Sequence, residues 1–320
     1  MFQHAFNLMR VSLRVLAALA LGFAALVLTG SPAANAQPPG QAASAGIAQA
    51  PTDAEMRARS QKLIANQHKN DDTLDEYERI ERVVDRTGGP NPRTLEDRTY
   101  RAVPDGGGPF KILLKENGRT VDPAEYRKGL QTWKDTLDVM LKPEDSRAQT
   151  AKEKYAKRKH ERADLVDAMQ QAFTGKWLRQ ETKDGRVCDV FELDPDPNFH
   201  PHSIFQEALQ HAMVMIWVDH GADQLVYGEA HITKDISVGG GILGKLYRGS
   251  VFSMEQAEVT PGVWLPIRYQ YDFTGRKFLF SFEEHQFVET GHYRVIGSPQ
   301  QALAIVEDEL ASGKSTAEDP

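Results

Sequence analysis

The cleanest periodicity in the chain lies at Val263–Phe273. There Val263, Leu265, Ile267, Tyr269, Tyr271 and Phe273 alternate with Pro266, Arg268, Gln270 and Asp272. Side chains on a strand point alternately to its two faces, so this pattern predicts a strand with one apolar and one polar side. The same reading extends over most of residues 176–296. KWLRQET and VCDVFEL flank Asp184-Gly185, a two-residue hairpin signal. HAMVMIWVD and LVYGEAHI are separated by the turn HGAD, and FTGRKF turns into FLFSF, where Phe278, Phe280 and Phe282 share one side. Strands joined by such short turns predict an antiparallel meander.

The pattern changes upstream. Tyr126, Leu130, Trp133, Leu137 and Leu141 recur at three- and four-residue steps, one face of a helix. Asp122-Pro123-Ala124-Glu125 supplies its cap, first-turn proline and capping-box acid, and Pro143 ends it. A second helical stretch runs over 145–173, basic across KEKYAKRKHER, apolar at Leu165, Val166, Met169 and Phe173, and stopped by Gly175. A further helix is predicted over Thr52–Lys69, and a strand over Glu76–Thr87 with Tyr77, Ile80 and Val83 as its apolar points. Short strands follow at RTYRAV and FKILLKENG, and ALAIVEDEL gives a short helix within the polar C-terminal segment 297–320. The fold class is therefore α+β. The apolar face of the strands needs a cover, which the helices around Trp133 and Phe173 supply.

Residues 1–36 have a different character. Arg10 and Arg14 precede an apolar run from Val15 to Leu28, and Ala34-Asn35-Ala36 follows. That is the layout of a cleaved secretory signal peptide, and the run is short of the ~20 residues a bilayer span needs. The expected location is periplasmic, and soluble. Residues 37–51 are Ala, Gly, Pro and Gln without period, a flexible linker. Residues 52–296 then form one domain that includes the helical segment 122–174. A lone cysteine, Cys188, excludes an internal disulfide framework or a cysteine-based zinc site. The chain has 38 Lys and Arg against 45 Asp and Glu, and loss of the signal removes two more cations. Such an acidic chain does not suit nucleic acid or anionic membrane surfaces.

Several stretches in the strand region carry a family resemblance. Trp217-Val218-Asp219 closes a strand, Leu225-Val226 is followed by Ala230, Gly249-Ser250-Val251-Phe252 runs on to Glu255-Gln256, and Gly262-Val263-Trp264-Leu265-Pro266 opens the most regular strand. Over residues 176–296 the chain resembles exported bacterial proteins related to the outer-membrane lipoprotein carriers, the LolA-like half-barrel superfamily. The resemblance implies an incomplete antiparallel β-barrel, covered by helices, whose concave side shields acyl chains in carrier members. The long basic helical segment departs from the simple carrier.

The candidate chemistry is sparse. GGGILGK, Gly239–Lys245, has the glycines and lysine of a phosphate-binding loop. It lacks the following Ser or Thr, because Leu246 stands there, and its flanks read as strands. No nucleotide and no cofactor are expected. The glycines more plausibly make a lid: Gly239, Gly240, Gly241 and Gly244 give freedom, and Ile242 and Leu243 tuck over a cavity mouth. His200 and His202 sit with carboxylates in a Pro-rich loop, a weak metal pattern without a third-ligand motif. Glu283-Glu284-His285 diverge along a strand, and neither Ser250 nor Ser281 lies in a nucleophile motif.

These readings favour a non-enzymatic carrier of an apolar ligand, a lipid or a lipidated protein, with transient membrane contact and an envelope protein as further partners. The expected lining is Trp217, Val226, Trp264, Leu265, Ile267, Tyr269, Tyr271, Phe278, Phe280 and Phe282. Two other classes stay open: a structural or interaction protein with a filled core, and, third, an exported hydrolase.

Overall fold

The computed structural model describes residues 49–238, 244–278 and 280–313. The signal peptide, most of the linker, the lid residues Gly239, Gly240, Gly241, Ile242 and Leu243, and the end of the polar tail therefore lie outside the described residues.

The chain opens with helix α1 (Asp53–Leu74), capped by Thr52 and Glu55 in a reciprocal capping box. Strands β1 (Tyr77–Arg86), β2 (Thr94–Pro104), β3 (Pro109–Glu116) and the two-residue β4 (Arg119–Thr120) follow as a meander. Helix α2 (Pro123–Met140) starts at the Asp122 cap and buries Tyr126, Leu130, Trp133 and Leu137, as the spacing predicts. Helix α3 (Ser146–Ala172) ends two residues early. Phe173 is already extended, because it is buried and pairs with Pro195 as the first residue of β5 (Phe173–Lys183). Strand β6 (Arg186–Pro195) returns through Asp184 and Gly185, both with positive φ, the hairpin turn that Asp-Gly favours.

A short helix α4 (Ile204–Leu209) leads into β7 (Ala212–Asp219), β8 (Leu225–Ile232), β9 (Ile236–Val238) and β10 (Gly244–Leu246). Long strands β11 (Val251–Thr260), β12 (Val263–Lys277) and β13 (Phe280–Val295) complete the sheet, and α5 (Pro299–Ala311) closes the described chain. Strand β12 runs straight through the FTGRK segment that the sequence reads as a turn. Gly275 allows this, since a Cβ there would strike the Phe282 ring, and the chain reverses at Phe278, φ 53°.

All described strands belong to one sheet, in the order β4-β3-β2-β1-β13-β12-β11-β8-β7-β6-β5, with β9 and β10 attached beside β12. Its end strands do not pair with each other, so it is an open antiparallel half-barrel covered by helices, the architecture the resemblance implies. Among the described residues no helix is long and apolar enough to cross a membrane.

Two helical layers cover opposite faces. Directly paired residues in an antiparallel ladder share a face. Ile80 pairs with Arg101 and packs with Val103, Ile112, Trp133 and Val306 under α2 and α5. Val83, three residues on, pairs with Val288 and belongs to the larger cluster under α1, α3 and α4. The odd step puts the two clusters on opposite sides of β1. Helix α3 thus covers the face that carries Tyr271 and Phe273, here called inner, as expected. Helix α2 with Trp133 does not; it covers the outer face of β1–β3.

Candidate functional site

The inner face is apolar where α1, α3 and α4 lie on it. Phe252, Tyr271 and Phe273 pack in a row with ring centroids 5.3 and 5.8 Å apart, and Tyr269 stacks on Tyr271 at 6.3 Å. Burial drives the phenol pKa values of Tyr269 and Tyr271 well upward, so both rings stay neutral. Between α4 and this row a small cavity of about 20 Å³ remains, walled by Leu209, Ala230, Ile232, Leu246, Phe252 and Phe273 among others. That is about the space of one water, and the apolar walls keep it dry.

The cover itself is not apolar. Helix α1 buries Met56, Leu63 and Ile64, but also Ser60, Gln67 and Asn70. Beside those apolar contacts, it is attached to the sheet through polar side chains. Arg59 donates Nε to Asp223 Oδ1 and Nη1 to Asp189 Oδ2, both at 2.6 Å. Asn66 donates to the Asp223 carbonyl at 2.8 Å, Asn70 to Gln224 at 3.0 Å, and Gln256 of β11 donates to Gln67 at 3.2 Å. The anchoring carboxylate, Asp189, has a side chain only 2 % exposed. Burial works against its charge, yet hydrogen bonds from His220, Trp177 and Arg59 outweigh that and hold its pKa below the usual range. Two atoms in this layer, Ser60 Oγ and Gln256 Oε1, are buried with no partner.

At the C-terminal end of α1 a cleft of about 600 Å³ opens. Leu74 and Asp75 of α1, Tyr77 and Arg79 of β1, Tyr155 and Arg162 of α3, and the β2–β3 and β13–α5 turns line it. Gly108, φ 128°, brings the β2–β3 turn against Tyr155, whose ring a Cβ would meet at 3.2 Å. Arg162, Asp71 and Asp75 in the cleft are paired. Arg162 donates twice to Asp71, at 3.0 and 3.2 Å, while Asp75 accepts from Lys159 and from the Tyr155 hydroxyl. Burial and the Asp75 carboxylate push the Tyr155 pKa up to about 12. On the floor, Arg79 meets Glu81 at 2.7 Å, and Glu81 also meets Lys111. Burial opposes the Glu81 charge, but the two cations prevail and lower its pKa to about 2. The volume falls in the ~300–1,000 Å³ range of ligand pockets, and the mixture of apolar walls and paired charges suits an amphiphile.

The residues expected to line one cavity are separated. Tyr269, Tyr271 and Phe282 belong to the inner cluster. Leu265 is fully buried and Ile267 half-buried, outside both main clusters. Trp217, Val226 and Trp264 gather with Cys188 in a small separate cluster. The cause is two register shifts. Ile267 has no partner in the β11 ladder and Val226 none in the β7 ladder, so alternation is interrupted at both places. Phe278 and Phe280 are 50 % and 76 % exposed at the β12–β13 turn, beyond the packed part of the sheet.

The other candidates are tied elsewhere. Gly244-Lys245-Leu246 is a strand paired with β9 and β12, with no helix behind it, and Lys245 Nζ meets Asp235 at 3.0 Å. Ser250 Oγ accepts from the Thr274 amide. His285 Nδ1 lies 3.0 Å from Asp272, beside neither serine. His200 and His202 are exposed, and no group of three metal-ligating residues forms among the described residues.

Sequence reading missed the attachment of α1 and the cleft. One signal was visible: Asp189, between Cys188 and Val190 in the largely apolar VCDVFEL, is a charge on a strand that needs a buried partner. Nothing local pointed to Arg59, 130 residues away.

No protein-family model matches the chain, and no curated protein matches it in sequence. Among solved structures it is similar to an outer membrane lipoprotein-sorting protein domain, so described, from Vibrio parahaemolyticus, with 11 % identity, TM-score 0.31, and coverage of 77 % of this chain and 97 % of that one. It is also similar to a LolA superfamily protein from Nitrosomonas europaea, with 11 % identity, TM-score 0.27, and coverage of 74 % and 94 %. A DUF1329 family protein from Desulfovibrio piger aligns with 11 % identity, TM-score 0.28, and coverage of 75 % and 92 %. The scores are low, and the site is read from this chain's own residues.

Proposed function

We propose that this protein is a non-enzymatic carrier of an apolar or amphiphilic ligand in the periplasm, binding it on the inner face of the half-barrel under α1. The observation that supports this most is the mismatch between an apolar inner face and a cover attached by polar side chains. Separating two well-packed apolar surfaces exposes both to water at ~25 cal/mol per Å². Lifting α1 exposes Met56, Leu63 and Ile64, but it also returns Ser60, Gln67 and Asn70 to water, which satisfies them and offsets part of that cost, including one hydroxyl that has no partner when closed. The apolar rows of β8, β11 and β12 then become available to an acyl chain. The cleft at the end of α1 gives the ligand its entry and holds its polar end near Arg79 and Tyr77.

The test is direct. Protein purified from its own envelope fraction carries lipid detectable by native mass spectrometry and solvent extraction, and the delipidated form takes up a fluorescent fatty acid. Absence of both sinks the carrier reading. A second reading, an interaction protein with a filled core, is favoured by the 20 Å³ left under α4. It predicts no uptake even when α1 is unlatched.

A further inference from the structure

The β12–β13 hairpin runs past β1 and β11. The β1 ladder ends at Arg86, opposite His285, and β11 joins β12 only at Val251, opposite Asp272. On the β12 edge, β10 continues the sheet as far as Gly244, opposite Lys277. On the β13 edge, residues 280–284 pair with β12 and with no other strand among the described residues, a length of about 16 Å at ~3.3 Å per residue.

Its end is aromatic and basic. Phe278 and Phe280 are 50 % and 76 % exposed, the latter the most exposed large apolar side chain among the described residues. Phe278 also holds φ at 53°, a region that bulky side chains avoid. Arg276 Nη1 donates to its carbonyl at 2.9 Å and fixes the turn. Lys277 follows, and Lys245 lies opposite Arg276 in the ladder. The acids near this end are Asp235, which pairs with Lys245, and Glu283.

We propose that this hairpin is a reversible membrane-docking tip that seats Phe278 and Phe280 among the headgroups of an anionic bilayer. Aromatic rings favour that depth, and Lys245, Arg276 and Lys277 sit where lipid phosphates would meet them. The charge of the rest of the chain sharpens the choice. With 45 acidic residues against 38 basic, the molecule as a whole is repelled by an anionic surface, so a basic end sets the approach. Two large exposed aromatic side chains on one turn, with cations beside them, form the kind of apolar patch rimmed by polar groups that marks an interaction surface. The proposal does not depend on the carrier reading, because docking needs no bound ligand.

The experiment is sedimentation with vesicles of phosphatidylglycerol mixed into phosphatidylcholine, and with phosphatidylcholine alone. The intact chain binds the mixed vesicles, more weakly as salt rises. The Phe278→Ser/Phe280→Ser variant binds them about tenfold more weakly, consistent with the loss of two apolar side chains. Lys277→Glu loses the preference for phosphatidylglycerol. The double variant melts like the parent, since Phe278 and Phe280 are exposed, melting of Lys277→Glu is measured beside it, and a Phe280→Trp protein shows blue-shifted emission when mixed vesicles are added. Equal binding by parent and double variant, or no binding by the parent, overturns the proposal. So does a double variant that loses self-association while neither form binds vesicles, because the tip is then a protein contact.

Discussion

Arg59→Ala tests the attachment of α1. In the parent, the guanidinium bridges Asp223 and Asp189 at 2.6 Å each, with Arg59 17 % exposed and Asp189 2 %. Removing one member of a buried ion pair costs ~3–5 kcal/mol when the other is left unpaired. Here Asp189 keeps His220 at 2.7 Å and Trp177 at 2.9 Å, and Asp223 keeps Lys62 at 3.4 Å. The remaining hydrogen bonds reduce the loss to about 2–3 kcal/mol. Because that energy holds α1 to the sheet rather than the sheet together, it appears as local opening. At ~1.36 kcal/mol per factor of ten, opening becomes about 30- to 150-fold more frequent. Hydrogen exchange of the α1 amides accelerates by that factor, and amides of β2, β3 and α2 keep their protection. In the carrier reading, uptake of a fluorescent fatty acid also quickens. Unchanged α1 exchange would show that the polar contacts do not govern the cover, and equal acceleration everywhere would show that α1 does not move separately from the sheet.

Three further outcomes follow from other buried groups. Arg101→Ala strands Glu78 and Glu309, which it meets at 2.7 Å each, and lowers stability in urea by about 3–5 kcal/mol, with Arg294 keeping a hold on Glu78. Glu81 has a folded pKa near 2 against 4.5 unfolded, so its contribution, about 3 kcal/mol, is complete above pH 4.5 and fades as pH falls toward 2. A Glu81→Gln protein loses less between pH 7 and pH 3 in urea titrations than the parent does, and parallel losses refute the assignment. Burial pushes the Cys188 thiol up to about 11, so a thiol reagent at pH 8 labels the protein only after unfolding, and rapid labelling of the folded form contradicts the structure.

Much of the fold was written locally. Period-two alternation marks β12 and β13, Asp184-Gly185 marks a hairpin whose two φ values are positive, and Asp122-Pro123 starts α2 where a capped helix should start. Such signals lie within a few residues because strand alternation and helix capping are short-range effects. The candidate site was less legible. Alternation assigns a strand's faces only while the register holds, and one unpaired residue at Ile267 or Val226 breaks the pattern without any mark in composition. The same alternation could not say that Phe280 lies beyond the last partner strand, since exposure depends on where β1 and β11 end.

The sequence by itself therefore determined the α+β class, the meander, and the apolar side of its longest regular strand, all consequences of backbone geometry and nearest-neighbour chemistry. Only the tertiary structure decided which helix covers which face, because α2 and the C-terminal end of α3 both carry apolar side chains and either could have served. It also brought Arg59 to Asp189, made the cleft at the end of α1, and left Phe278 and Phe280 outside. Those are contacts between distant segments, set by the packing of the whole chain rather than by any stretch of it.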